Sequence, residues 1–179
     1  MVRACSPRAP TGIRNQALLI TGYRSGARIS ELLALHPKDV DVDRGTLTIL
    51  HGKGDRHRMI GMDPGGFAVL ERWLECRRGL RLPRRAPLFC TLAGNQLYAS
   101  YVRHLLVRLA KKAGVEKRVH PHGLRHTLAT EMHREDKPLW VIQGQLGHVH
   151  ASTTDRYLRR ANQRDVIEAV RSRPWPPLE

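Results

Sequence analysis

The chain has 179 residues, of which 41% are hydrophobic, and this is enough for one domain with one buried core. Lysine and arginine number 31 against 16 aspartates and glutamates, which gives a formal net charge of +15. An excess of this size predicts a polyanionic partner, most often nucleic acid, although ribosomal and other basic proteins share it. No apolar run approaches the ~18 residues of a membrane-spanning helix, so we expect no membrane segment.

The cysteines and histidines predict neither a disulfide framework nor a metal centre. Cys5, Cys76 and Cys90 are odd in number and lack paired metal-ligand spacing, so we expect reduced thiols. The ten histidines are scattered, and the pairs 120/122 and 148/150 lack further ligands at the spacing of a tetrahedral site. The basic N-terminus is followed by no continuous apolar stretch of a signal peptide. These features predict a soluble, cytoplasmic protein.

Periodicity in the first half of the chain predicts helices that flank a β-hairpin. Apolar residues recur at helical spacing before Gly22 and the turn at 25–26, which we expect to end the first helix. The pattern then changes to β-rich segments around a glycine-containing turn at 52–55. The predicted elements are helices over 13–22, 30–35 and 64–79, and strands over 46–50 and 57–60.

Prolines mark the helix starts in the second half. Pro121 and Pro138 each suit the first turn of a helix, and Gly147 ends the second of these helices. Ser152 with Asp155 resembles a capping box for a short helix further on. Further helices are predicted over 95–113 and 162–172. The expected fold class is α+β, mainly α-helical, with a small antiparallel β element.

The short capped helix presents Tyr157, a few residues after His148. Upstream lies the pair His122 and Arg125, which leave the same face of one helix. A phenol surrounded by arginines and histidines, without a carboxylate cluster to hold a metal, suits metal-free attack on a phosphodiester. Neighbouring cations would help the Tyr157 hydroxyl to ionise.

Phosphodiester cleavage by a hydroxyl needs stabilised equatorial oxygens, a proton for the leaving 5′ oxygen and an aligned nucleophile. Arg28 and Arg125 suit the first need, because a guanidinium gives bidentate bonds to phosphate. His122 can donate to the phosphate or accept the phenol proton. Lys53, at a Gly–Lys–Gly hairpin tip, can protonate the leaving oxygen.

Each of these residues has a structural interpretation when it is taken alone. A helical arginine is more often solvated, a Gly–Lys–Gly tip is common in hairpins, and a single tyrosine is more often a surface residue. His122 could be an ordinary first-turn residue, and His126 on the same helix could pack inside. The combination, in this order and spacing, favours the catalytic interpretation.

Four segments together resemble the catalytic domain of the tyrosine recombinases, the phage integrase family, over roughly residues 14–158. Residues 23–35 (YRSGARISELLAL) resemble the first arginine box of the family, and residues 51–56 (HGKGDR) resemble its β-hairpin. Residues 121–130 (PHGLRHTLAT) are similar to the second box, and residues 146–148 (LGH) match the third basic position. The resemblance implies a tyrosine-recombinase catalytic fold with a small antiparallel β-hairpin or sheet.

The resemblance also implies which residues form the active site. They are Arg28, Lys53, His122, Arg125, His148 and Tyr157 as catalytic residues, with Glu31 as a supporting acid. Tyr157 is then the nucleophile that forms a 3′-phosphotyrosine, and Lys53 is the general acid. The covalent intermediate retains the bond energy, so the resemblance implies no cofactor, no ATP and no metal.

The implied function is site-specific DNA recombination or integration, of the kind that mobile elements use. The implied partner is double-stranded DNA, with a homotetramer on two duplexes, in the cytoplasm at the nucleoid and without a membrane. Family members usually carry a helical core-binding domain of roughly a hundred residues before this region. We expect residues 1–12 to be an N-terminal extension, 13–172 the catalytic domain and 173–179 a C-terminal tail, with the N-terminal core-binding domain absent.

Two other functions remain open from the sequence. A type IB topoisomerase relaxes a single duplex by similar chemistry, and strand exchange between two duplexes would separate it from a recombinase. A truncated, non-catalytic DNA-binding module would bind with steep salt dependence and form no covalent product.

Overall fold

Six α-helices and a three-stranded antiparallel sheet make up residues 1–50 and 57–147, which the computed structural model describes. The helices are α1 (Pro10–Ser25), α2 (Ile29–Ala34), α3 (Pro64–Gly79), α4 (Ala99–Lys112), α5 (Pro121–Arg134) and α6 (Leu139–Leu146). The strands are β1 (Val40–Asp41), β2 (Thr46–Ile49) and β3 (Arg58–Gly61), and short 3₁₀ turns lie at Val2–Ala4 and Pro37–Asp39. The predicted α+β class, mainly helical with a small sheet, is confirmed.

The sheet has the order β1–β2–β3, and its alternation decides which side chains face the core. Leu47 pairs with Ile60, and Ile49 pairs with Arg58. Paired residues lie on the same face, and Leu47, Ile49 and Ile60 are all buried. Arg58 therefore occupies a core-facing position, whereas its neighbour Met59 is exposed.

Helix α1 packs against both α3 and α5. Trp73 of α3 and Leu18 of α1 are fully buried in the main core. The start of α3 is set by its own sequence: Pro64 occupies the first turn, and the Asp63 side chain accepts a hydrogen bond from the Gly66 N–H at 3.1 Å.

A second, smaller apolar cluster joins α6 to α5. Its buried members are Ala129, Ile142 and Leu146, with Met132 packed against them. The Gln145 amide then ties α6 to two further elements, since it donates to the carbonyls of Ser25 at 2.8 Å and Gly61 at 2.7 Å. These contacts place the C-terminal end of α6 beside the ends of α1 and β3.

Side chains from two helices anchor the connection between α3 and α4. The buried guanidinium of Arg77 donates to the Leu88 carbonyl at 3.1 Å, and the Trp73 indole donates to the same carbonyl at 2.8 Å. From α1, the buried Arg14 donates to the Cys90 carbonyl at 3.1 Å. The connection is therefore anchored to α1 and α3.

Several predicted helix boundaries are confirmed. Helix α3 spans 64–79 as predicted, α5 begins at Pro121, and α6 ends immediately before Gly147. The predicted turn at 52–55, the capping of the helix that presents Tyr157 and the predicted helix over 162–172 lie outside the described residues.

The prediction for the first helix is wrong at both ends. Helix α1 begins at Pro10 and continues past Gly22 to Ser25. Gly26, with φ 65°, adopts the left-handed conformation that ends the helix. Strand β1 has two residues and was not predicted, and α4 begins at Ala99, later than the predicted 95.

The N-terminal segment contacts the main core through its apolar residues. Cys5 is buried within this core, and Met1, Val2 and Ala4 pack against the core. The division into 1–12, 13–172 and 173–179 stays a prediction.

Cys5, Cys76 and Cys90 are free thiols. Among the described helices, none combines the length and the apolar character that crossing a membrane requires.

Candidate active site

Arg28 stands at the start of α2, where its own helix and α6 fix its side chain. Its backbone is extended (φ −66°, ψ 150°), and its backbone N–H donates to Glu31 Oε2 at 2.8 Å. Nη1 donates to Glu31 Oε1 at 2.7 Å, and Nη2 donates to the Gly147 carbonyl at 3.2 Å. The side chain is 29% exposed, so the guanidinium is held in place yet accessible to an anion.

Glu31 is a buried carboxylate between two arginines. Its side chain is 2% exposed, and Arg58 of β3 donates to both carboxylate oxygens, at 2.9 and 2.8 Å. Burial by itself would raise the pKa of Glu31, but hydrogen bonds from Arg58 and Arg28 lower it to about 2. Bidentate pairs of this kind are strong and directional. Glu31 is therefore ionised and fixed in orientation.

Arg125 of α5 is buried (3% exposed) and contacts the ends of two other helices. Nη1 donates to the Gly26 carbonyl after α1 at 2.5 Å, and Nη2 donates to the Leu146 carbonyl at the end of α6. The last carbonyls of a helix lack partners within the helix and carry partial negative charge. Arg125 and Arg28 therefore both stabilise the C-terminal end of α6.

Gly147 follows α6 and lies against Arg58. Its φ of 61° falls in the left-handed region that favours glycine. A Cβ atom here would lie 2.5 Å from Nε and 2.7 Å from Cζ of Arg58. Both the backbone conformation and the neighbouring guanidinium therefore select glycine at this position.

His122 lies in the first turn of α5, three residues before Arg125. The residue is exposed, but partial burial of its ring lowers its pKa. The charges of Arg125, two other histidines and Arg28 lower the pKa of His122 further. The ring is therefore biased toward the neutral form, which can accept a proton.

The charge of the site is positive. Two guanidinium groups, from Arg28 and Arg58, pair with the Glu31 carboxylate, and a third, from Arg125, binds the carbonyl at the end of α6. Arginine forks match the geometry of phosphate oxygens and stay charged at any working pH. The arrangement can therefore orient a phosphodiester and stabilise negative charge that develops on it. Within residues 1–50 and 57–147, no group of three or more potential metal ligands comes together.

Four of the predicted site residues fall in the described part of the chain. Arg28 bonds directly to Glu31, and both Arg28 and Arg125 bond to carbonyls at the end of α6. The charges of Arg28 and Arg125 act on His122. The other three predicted residues lie outside the described residues, and their roles stay predictions. They are Lys53, His148 and Tyr157.

Sequence reasoning missed Arg58 and gave Gly147 only the role of ending a helix. One signal for Arg58 was present, since it stands two residues before Ile60 and therefore shares the core-facing side of β3. Its partner Glu31 is 27 residues away, so the pair has no local pattern.

The fold is that of tyrosine recombinase catalytic domains. The crystal structure of XerA recombinase superposes with a TM-score of 0.83 at 30% sequence identity, covering 97% of this chain and 62% of that chain. XerH site-specific recombinase, in a post-cleavage complex with its palindromic difH substrate, gives a TM-score of 0.78 at 29% identity, covering 94% of this chain and 48% of that chain.

Sequence comparison points to the same class. The model of the phage integrase family matches residues 1–164. Tyrosine recombinase XerC of Thermodesulfovibrio yellowstonii is 35% identical over 162 residues, which cover 88% of this chain and 54% of that protein. The chain belongs to the phage integrase family. It spans about half the length of the curated relatives that it matches.

Proposed function

We propose that this chain is the catalytic domain of a site-specific DNA recombinase that cleaves and rejoins strands through a 3′-phosphotyrosine. The observation that carries the proposal is that Arg28 and Arg125 converge on the end of α6, with Arg28 held by the buried Glu31. Guanidinium groups fixed in advance stabilise developing charge on a phosphate without reorganising during the reaction. Membership of the phage integrase family supports the same reaction.

In the proposed reaction, the Tyr157 oxygen attacks phosphorus and the bond to the 5′ oxygen breaks. His122 accepts the phenol proton, because its lowered pKa favours the neutral ring, and Lys53 protonates the leaving oxygen. Arg28, Arg125 and His148 donate to the phosphate oxygens. A 5′ hydroxyl of the second duplex then attacks the phosphotyrosine and releases Tyr157. Because the adduct retains the bond energy, the proposed exchange uses neither ATP nor a metal.

The proposed partner is double-stranded DNA, and α4 offers a face that suits it. Most of the exposed residues of α4 are basic, namely Arg103, His104, Arg108, Lys111 and Lys112. The helix carries no acidic residue, and it packs against α2 and α5, which carry Glu31 and Arg125. A basic helix beside the phosphate site is suited to contact the DNA backbone. The relative XerH binds its difH substrate, which supports this partner.

The proposed assembly is a homotetramer on two duplexes. Exchange between two duplexes breaks four strands, and each chain would supply one nucleophile, Tyr157. Four protomers therefore match the number of bonds that are exchanged. We place the protein at its DNA substrate, in the cytoplasm at the nucleoid.

The test is a covalent-adduct assay on nicked duplexes from the flanking sequence of the gene, with wild type and Tyr157→Phe. Nicking traps the adduct, because the short strand with the leaving 5′ hydroxyl diffuses away. Wild type should form an SDS-resistant adduct, and Tyr157→Phe should form none while binding DNA with unchanged affinity. The matched control is Tyr98→Phe, at an exposed tyrosine just before α4, and it should react like wild type.

An adduct with Tyr157→Phe would remove Tyr157 as the nucleophile. Binding without an adduct in any variant would instead support a non-catalytic DNA-binding module. An adduct together with relaxation of one duplex, but without exchange between two labelled duplexes, would support the topoisomerase alternative.

A further inference from the structure

Arg58 is the one guanidinium of the candidate site that the proposed reaction does not use. We propose that Arg58 is a positioning residue for strand cleavage, which holds the Glu31 carboxylate in the orientation that lets it hold Arg28. The inference rests on the proposed function, because the group that it positions is a proposed phosphate ligand.

The contacts of Arg58 form a chain that ends at the phosphate site. Arg58 donates through both Nη atoms to Glu31, at 2.9 and 2.8 Å, and the Glu31 oxygens accept from the Arg28 side chain and backbone, at 2.7 and 2.8 Å. Arg28 in turn donates to the Gly147 carbonyl at 3.2 Å. A rotation of the Glu31 carboxylate would therefore displace the Arg28 guanidinium.

Charge balance explains why a second arginine is needed. Glu31 is buried, and a carboxylate out of water is costly unless it is paired and hydrogen-bonded. Arg28 alone could pair with Glu31, but the two charges would then cancel at the place where a phosphate must bind. With Arg58 present, two guanidinium groups share one negative charge, so the trio stays positive. Arg28 keeps further N–H groups to donate.

Stability alone does not account for the Glu31–Arg58 pair. Buried ion pairs are often no more stabilising than apolar side chains of similar volume. Arg58 also keeps one imperfect contact, because its Nε is buried without a hydrogen-bond partner among the described residues. That nitrogen faces Gly147, where a Cβ atom would lie 2.5 Å away. The side chain is placed to reach Glu31 although one of its own donors is left unpaired.

Arg58 also connects elements that carry other proposed catalytic residues. It is the first residue of β3, two positions after the segment 51–56 that contains Lys53. It lies against Gly147, and His148 is the next residue in the chain. A single side chain therefore bridges the strand that follows Lys53, the start of α2 and the end of α6.

The experiment measures single-turnover cleavage of the nicked duplex and DNA affinity separately, for the full chain and its variants. Arg58→Met keeps the apolar stem and removes the donors. We expect it to slow cleavage by about 10–100-fold, as loss of an outer partner does at metal sites, with DNA affinity nearly unchanged. Arg58→Lys keeps the charge without the bidentate geometry and should cleave at an intermediate rate.

The deciding comparison introduces Arg58→Met into the Glu31→Gln variant. If Arg58 acts through Glu31, then Glu31→Gln/Arg58→Met should cleave within about twofold of Glu31→Gln, because the two losses overlap. The matched control is Arg24→Met, which removes a 2.6 Å pair between Arg24 and Asp63 that involves neither Glu31 nor Arg28. Arg24→Met should change the cleavage rate little, and by the same factor in the wild type and in the Glu31→Gln variant.

Three results would overturn the inference. Wild-type cleavage by Arg58→Met would overturn it while the proposed function stands. A further tenfold loss in the double variant, with an unchanged melting temperature, would show that Arg58 does not act through Glu31. Absence of an adduct from the wild type would remove the proposed function together with the inference. If Arg58→Met fails to fold, Arg58→Lys and the double variant still decide between these results. The double variant avoids the folding problem because it buries no unpaired carboxylate.

Discussion

At the scale of single residues, the candidate site depends on how Glu31 is kept ionised inside the protein. Burial raises its pKa, but the hydrogen bonds from Arg58 and Arg28 lower it from an ordinary 4.5 to about 2. A shift of this size corresponds to about 3 kcal/mol of stability. Because the folded-state pKa lies below the unfolded value, that stability is complete above about pH 5 and disappears as the pH falls toward 2.

Glu31→Gln should therefore lower the free energy of unfolding most above about pH 5, by about 3 kcal/mol, and least near pH 2. At low pH the wild-type side chain is itself neutral, so the two proteins should converge. Denaturant unfolding at a series of pH values measures the difference directly. The matched control is Glu75→Gln, on the exposed side of α3, whose curve should run parallel to the wild-type curve. A Glu31→Gln difference that does not change with pH would contradict the assignment.

Arg125→Ala should impair both stability and cleavage. It removes two charge-assisted bonds and leaves the buried carbonyls of Gly26 and Leu146 without their donor, so we expect a loss of about 2–4 kcal/mol in the free energy of unfolding. Cleavage should fall by about 10³, the upper end of the range for removing one fixed donor. Denaturant unfolding and single-turnover adduct formation measure the two effects.

Arg125→Lys separates those two effects. An ammonium keeps the charge but lacks the planar fork that reaches two carbonyls at once. The variant should recover part of the lost stability and little of the lost cleavage rate. Cleavage by Arg125→Ala within tenfold of wild type would contradict a role of Arg125 at the phosphate.

The sequence predicted the individual arginines of the site better than their connections. Arg28 and Arg125 stand in recognisable boxes, and the structure brings both to the end of α6. Arg58 could not be found in this way, because its partner Glu31 is remote in sequence and its strand neighbour Met59 is apolar yet exposed. Alternation along β3 identifies the inward residue only once the pairing register with β2 is known.

At the scale of elements, glycines explain why one helix boundary was predicted correctly and another was wrong. Gly147 ends α6 as predicted, with φ 61°. Gly22 was expected to end α1, but it lies within the helix and its backbone faces Leu32, 3.2 Å from where a Cβ atom would be. Gly22 allows close packing, and Gly26 supplies the left-handed stop. Composition alone does not distinguish these two uses of glycine.

Gly26→Ala should destabilise the protein by about 2–4 kcal/mol, as the sum of left-handed strain and overpacking. The residue has φ 65°, and an added Cβ would lie 2.8 Å from Leu128 Cδ2 and 2.9 Å from Leu146 Cδ2. The Gly26 carbonyl also accepts from Arg125, so cleavage should slow as well. Denaturant unfolding measures the first effect and adduct formation the second.

Gly144→Ala is the matched control within α6. Among the described residues, no atom beyond the neighbouring part of its own helix lies within 4 Å of its Cβ position, and its backbone is helical. Alanine should therefore stabilise the helix by up to about 1 kcal/mol. A Gly26→Ala variant as stable as wild type would show that the loop after α1 relaxes freely.

At the scale of the whole molecule, the net charge of +15 is distributed unevenly over the helices. The exposed side of α4 carries basic residues and no acidic one, whereas that of α3 mixes signs, with Glu71 and Glu75 beside Arg72 and Arg78. Arg103→Gln/Lys111→Gln should therefore reduce the log–log slope of DNA affinity against salt by about 2, one unit for each lost phosphate contact. Titrations over a range of salt concentrations measure the slope.

Arg72→Gln/Arg78→Gln removes the same charge from α3 and is the control. Its slope should equal that of the wild type if α4, rather than net charge, sets DNA binding. Equal reductions in both double variants would show that binding follows net charge alone.

Much of the overall architecture could be predicted from the sequence, because local signals and tertiary packing agree. In α3, the cap Asp63, the first-turn Pro64 and the apolar stripe through Trp73 indicate the same helix, and the structure contains it. The two residues of β1 carry no such signal, since only their pairing with β2 defines them as a strand. The α3–α4 connection was likewise predicted only as a break between helices, because its hydrogen-bond donors come from other elements.

That connection has a consequence for the order in which the chain folds. Its carbonyls receive donors from Trp73 and Arg77 on α3 and from Arg14 on α1, and all three donor side chains are buried. The hydrogen bond between Arg14 and Cys90 joins residues 76 positions apart. The entropy cost of closing a loop of this length opposes ordering of the connection. We therefore expect the segment to reach its native conformation only once α1 and α3 have docked, so that its order reports on the assembly of the core. Exposed Arg84 and Arg85 lie within it, so a protease that cleaves after arginine would preferentially cut chains whose core is not yet complete.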